Sequence, residues 1–206
     1  MDIFYKTLLY THIISGGIAL VCGSIAMLTK KGQKAHRTSG KIFFYSMLLV
    51  CFSAIGIAIF KDLSFLLMVG IFALFQNYFG LRAIKNKQLR YDTIDIVMLL
   101  TACINSIFML ISIKPVLMVF GIISAFLCFG QIKIYVATLK KTEIPKSLWL
   151  RQHIGMMMGA YIATLTAFLV VNVKNVEPGW LIWLAPTAIL VPLMLYWTKK
   201  YVKINT

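Results

Sequence analysis

Seven apolar runs of about 20 residues each take up nearly the whole of this 206-residue chain. Wound as an α-helix at 1.5 Å per residue, a run of that length matches the ~30 Å hydrocarbon thickness of a bilayer. The runs fall at about 7–28, 42–60, 63–81, 94–112, 115–136, 154–172 and 180–198. Charged residues make up 13% of the chain. A soluble domain needs roughly 25% to coat its surface. The few charges cluster between the runs, which leaves no room for a separate soluble domain. The expected fold is all-α: an integral membrane bundle of seven transmembrane helices, forming a single domain over residues 1–206.

The distribution of lysine and arginine sets the orientation. Linkers after the first, third and fifth runs are long and basic, and those after the second, fourth and sixth are short. Seventeen of the 21 Lys and Arg residues lie in the three long linkers, at their edges and in the C-terminal tail, including Lys199, Lys200 and Lys203. The opposite side holds only Lys6, Lys61, Lys114 and Lys174. The positive-inside rule then places the long linkers and the C-terminus in the cytoplasm and the N-terminus outside. An even number of spans would break the alternation. A multi-pass protein of a bacterial inner membrane is the expected setting, with membrane lipid as its constant partner.

Topology accounts for the net charge of +15 better than a nucleic-acid partner does, so none is expected. Cys22, Cys51, Cys103 and Cys128 each sit inside an apolar run with no Cys-x-x-Cys spacing, as small hydrophobes rather than a disulfide framework. The first run is too long for a signal-peptide core and reads as a retained helix. No Gly-rich phosphate loop, Ser-His-Asp set or His-Glu-x-x-His motif occurs, and the seventh run has no central lysine for a retinal Schiff base. Small residues recur on single helical faces, at Gly16, Ala19 and Gly23 with His12, and at Gly155, Gly159 and Ala163. They mark close helix packing where lipid supplies no hydrophobic drive for association. Trp180, Trp183 and Trp197 suit interfacial anchors near the ends of the last run.

Ionisable groups are scarce and so informative. His36, Asp92, Asp95 and His153 all fall at the cytoplasmic ends of the second, fourth and sixth helices. Spacings of 59 and 58 residues separate His36, Asp95 and His153, as three helical hairpins in series would give. If those helices are neighbours, two imidazoles and an aspartate form a first shell for Zn²⁺ or a similar divalent metal. An open fourth position would hold a water of lowered pKa, suited to hydrolysis. Arg37 and Arg151 flank the histidines and suit an anionic headgroup or a carboxylate of a small or lipid-like substrate. The plainer reading gives Asp92 and Asp95 to helix capping and the arginines to lipid phosphates.

The same histidines can instead be the axial ligands of one b-type haem. A second haem near the other face would need two more ligands, and only His12 is available there. From His12 to Leu28 the helix rises ~24 Å, so His12 and His36 cannot share an ion. His12 is expected to hydrogen-bond within the bundle or to relay protons. Gln76, Asn77, Asn105 and Gln131 are expected as interhelical glue, or else as the lining of a substrate cavity.

Two stretches carry a resemblance. The first is His12-x3-Gly16 with Gly23 and His36-Arg37-x2-Gly40-Lys41-Ile42-Phe43. The second is Arg151-Gln152-His153-Ile154-x2-Met157 with Gly159-Ala160-Tyr161 and Thr166-Ala167-Phe168. Together, over about 10–60 and 148–172, they resemble a family of bacterial predicted membrane proteins classed as a domain of unknown function. The resemblance implies a multi-helix membrane protein with His12, His36 and His153 as characteristic positions, and supplies no reaction. The expected function is a cytoplasm-facing His/Asp pocket for a metal ion or haem, acting on a small or lipid-like molecule. The alternatives are a proton-coupled transporter or channel and a purely structural helix bundle. Whether the chain is an enzyme, and its oligomeric state, are left open by the sequence.

Overall fold

A computed structural model describes residues 2–202; Lys203, counted above with the tail, lies outside the described residues. Seven helices follow in order: α1 (Asp2–Leu28), α2 (Lys34–Phe60), α3 (Ser64–Lys85), α4 (Thr93–Ile111), α5 (Pro115–Leu139), α6 (Leu148–Asn172) and α7 (Trp180–Tyr201). Each is long and apolar enough to cross a membrane, and no strand occurs among the described residues. All-α, seven-helix architecture is therefore the fold.

The helices outrun the apolar segments, chiefly at the basic end of the bundle. α2 starts at Lys34 rather than 42, α6 at Leu148 rather than 154, and α3 continues to Lys85. Hydropathy marks where lipid ends, whereas a helix ends where its backbone bonds stop being satisfied internally. Polar side chains reach water while their backbone stays helical, which carries His36 and His153 on rigid turns. α4 begins with a reciprocal cap in which Asp92 and Asp95 each accept from the other's backbone N–H. α5 opens on Pro115, where a missing N–H costs nothing.

Packing selects a four-helix core. α1 packs on α2, α2 on α3, α3 on α6, and α6 back on α1, closing a ring. α4 flanks α3, α5 flanks α4, and α7 flanks α6. The ring interior holds Ala19, Phe43, Met47, Cys51, Ala73, Ala160 and Tyr161. Three glycines permit the close approach of its walls. A Cβ at Gly23 would run into the ring of Tyr161, one at Gly80 into Met157, and one at Gly159 into the Gln76 amide. Outside, Ile14, Val21, Phe52, Phe126 and Ile189 are more than half exposed, an apolar surface that lipid solvates and water would not. The four cysteines are free.

Candidate functional site

Within the ring, α2 and α6 stand diagonally opposite, and so do α1 and α3. His36 and His153 lie on the first diagonal. Their ring centroids are 6.5 Å apart, with planes at 89°. The other diagonal supplies a carbonyl to each: His36 Nδ1 lies 2.8 Å from Ala26 O on α1, and His153 Nδ1 lies 2.9 Å from Gly80 O on α3. A carbonyl only accepts, so both Nδ1 atoms carry the proton. In the neutral ring this leaves Nε2 as the lone-pair nitrogen, the arrangement that metal-ligating histidines use. Both rings are partly buried, so a ligand reaching them is shielded without being sealed off.

The aspartates do not join them. Asp95 is 1% exposed and fully occupied. Arg82 Nε reaches its Oδ1 at 2.8 Å and Arg82 Nη2 its Oδ2 at 2.8 Å. Tyr78 OH donates to Oδ1 at 2.7 Å and Asp92 N–H to Oδ2 at 2.9 Å. Asp92, more than half exposed, takes Arg82 Nη2 at 2.8 Å. α4 packs on the outer side of α3 and is no member of the ring. Among the described residues, no three of His, Cys, Asp and Glu gather as a metal site. The expected His/Asp shell is thereby corrected: a buried carboxylate finds its charge partner in the nearest guanidinium, and here that belongs to α3.

The remaining candidates separate as clearly. Arg37 and Arg151 are exposed, in the first two turns of α2 and α6. The ion pairs among the described residues are those of Arg82, so neither flanking arginine has a carboxylate partner. Gln131 is buried away from the histidines, accepting from Tyr91 OH and donating to Gln152 at 2.7 Å. Burial raises the Tyr91 phenol above its ordinary pKa, with the Asp95 charge adding to the effect, so it stays a donor. Arg82, Tyr91, Asp95, Gln131 and Gln152 border a cavity of about 20 Å³, room for about one water. Asn77 donates to Phe44 O at 3.1 Å, tying α3 to α2. Gln76 lies against Gly159, its Nε2 buried without a partner. His12 is at the opposite end of the bundle, its Nδ1 3.2 Å from Val50 O and 3.1 Å from Ser53 Oγ.

Sequence reasoning missed Arg82, Tyr78 and Gln152 as partners, and the two carbonyls that orient the histidines. Arg82 had a signal: a cation in the last turn of α3, ten residues before Asp92 across the basic linker to α4. The carbonyls had none, because every residue carries one.

No curated protein and no solved structure matches the chain. Residues 148–172, the second stretch of the resemblance, lie outside the family match. Over residues 9–93, which hold His12, His36 and the glycines between them, the chain matches the family described as "Predicted membrane protein (DUF2306)", a domain of unknown function, as its first stretch implied.

Proposed function

We propose that this integral membrane protein holds a transition-metal centre, as a metal ion or as haem iron, between His36 and His153. The observation that carries the reading is the pair of Nδ1–H···O=C bonds, which leaves two Nε2 lone pairs bare on facing helices 6.5 Å apart between ring centroids. Cofactor sites in helical bundles are built this way, from side chains on facing helices. Two imidazoles bound on opposite sides of one metal ion stand roughly 6 Å apart between ring centres, given a metal–nitrogen bond of about 2.0 Å. A small or lipid-like molecule would be the partner, either entering the metal's open positions or exchanging electrons with it. The positive-inside rule favours a cytoplasmic location for this basic end, in a bacterial inner membrane.

Purified protein in nanodiscs provides the test, by metal analysis and by visible absorption. One equivalent of a transition metal or haem, lost in both His36→Ala and His153→Ala, is the expected result. Protein that neither retains nor takes up a metal or haem would end the reading. A proton-coupled transporter or channel is the second reading, favoured by His12 at the far end of the ring on the Ser53 hydroxyl. Proton flux in liposomes that depends on His12 would put it first.

A further inference from the structure

A centre with two protein ligands is incomplete for most metals. Structural zinc sites take four and catalytic ones three. Two suffice when a macrocycle fills the other four positions, as in bis-histidine haem. Resting on the metal-centre reading above and narrowing it, we infer that the bundle takes an iron porphyrin, with His36 and His153 as its two axial donors and Arg37 and Arg151 holding its carboxylate arms.

The ring separation of 6.5 Å suits donors on opposite faces of one iron. Donors on adjacent corners of a tetrahedron would bring the ring centres to roughly 5 Å at the same bond length. Space is the second argument. Gly40 lies one turn beyond His36 on the same face of α2, and a Cβ there would meet nothing within 4 Å. Gly23, Gly80 and Gly159, elsewhere in the ring, are filled against neighbouring side chains. One turn inward from His36 the wall at Gly40 is therefore open, whereas those three positions are closed. Deeper in, the two diagonal helices touch again, through Phe43 with Tyr161 at 6.2 Å and Thr164 Oγ1 with Met47 Sδ at 2.9 Å.

Charge is the third argument. Among the described residues no carboxylate joins the histidines to offset a bare dication, and Asp95 is committed to Arg82. The arginines beside the histidines are exposed and, among the described residues, lack a carboxylate partner. An iron porphyrin with two carboxylates brings its own negative charge to this basic rim. Arginine is the side chain best shaped to receive it, in paired N–H···O bonds.

Apo-protein in nanodiscs would be titrated in parallel with haemin, with haemin dimethyl ester and with Co²⁺. Haemin is expected to bind at one equivalent with the spectrum of a six-coordinate, low-spin iron. The ester should bind about tenfold more weakly, the scale of one charge-assisted hydrogen bond. In the Arg37→Gln, Arg151→Gln double variant that difference should vanish. His153→Met, which keeps a donor of different softness, should shift the spectrum without abolishing it, so that lost folding is not mistaken for a lost ligand. Histidine-dependent Co²⁺ binding without haemin binding would overturn the porphyrin while leaving the metal centre standing. Failure of both probes would remove the two together. Equal affinity for haemin and its ester would overturn the assignment of the arginines.

Discussion

Two polar clusters sit at the basic end of this bundle on opposite sides of α3, and they are built on opposite principles. Around Asp95, both carboxylate oxygens accept from the Arg82 guanidinium, the Tyr78 hydroxyl or the Asp92 backbone. Between α2 and α6, each histidine spends one nitrogen on a carbonyl and keeps the other unused. A saturated network in a low-dielectric setting holds helices in place and has nothing left to offer a ligand. A half-used pair of imidazoles is oriented and still available. What separates the two is thus the bonding capacity left over, since both clusters lie at the basic end of the bundle.

Substitutions can break or sharpen that contrast. The largest effect on stability is expected for Asp95→Ala, which strands the Arg82 cation. About 3–5 kcal/mol should be lost, read by reversible unfolding in mixed micelles, because a half-removed buried pair leaves an uncompensated charge. The folded fraction should bind metal or haemin as before; lost binding at unchanged stability would return Asp95 to the ligand set. His153→Ala should act the other way. Removing its single hydrogen bond to Gly80 costs about 1 kcal/mol, while affinity for the metal or haemin falls beyond the 10- to 100-fold typical of outer-shell changes, as a titration would measure. Gly159→Ala drives a methyl into the Gln76 amide and should cost about 1–3 kcal/mol by overpacking. A neutral outcome in the same unfolding assay would mean α3 and α6 are not in close contact. Asp92→Ala should be mildest, about 1 kcal/mol for a lost cap, since its share of the Arg82 pair is solvent-exposed and weak.

The sequence made much of the site legible. His36 and His153 were candidates because imidazoles near a span are rare, and the structure brings their rings within 6.5 Å of each other. The aspartates were misplaced for a physical reason. Depth in the membrane can be read along a helix, but azimuth cannot, and Asp95 at the depth of the histidines points to α3's outer flank. The 59- and 58-residue spacings suggested three hairpins of adjacent helices. The helix pairs that begin at those residues, α2 with α3, α4 with α5 and α6 with α7, each pack together.

Hydropathy and the placing of Lys and Arg determined how many helices there are and which end carries the positive charge. These are local properties: a bilayer's thickness divided by the rise of a helix, and a count of cations between runs. Only the tertiary structure decided that α1, α2, α3 and α6 close into a ring, that the two histidines share its diagonal, and that Arg82 claims Asp95. In lipid every apolar face is equally content, so the choice of neighbour falls to shape. Glycines that let Tyr161, Met157 and Gln76 sit against a bare backbone make that choice, and their fit exists only once the helices meet.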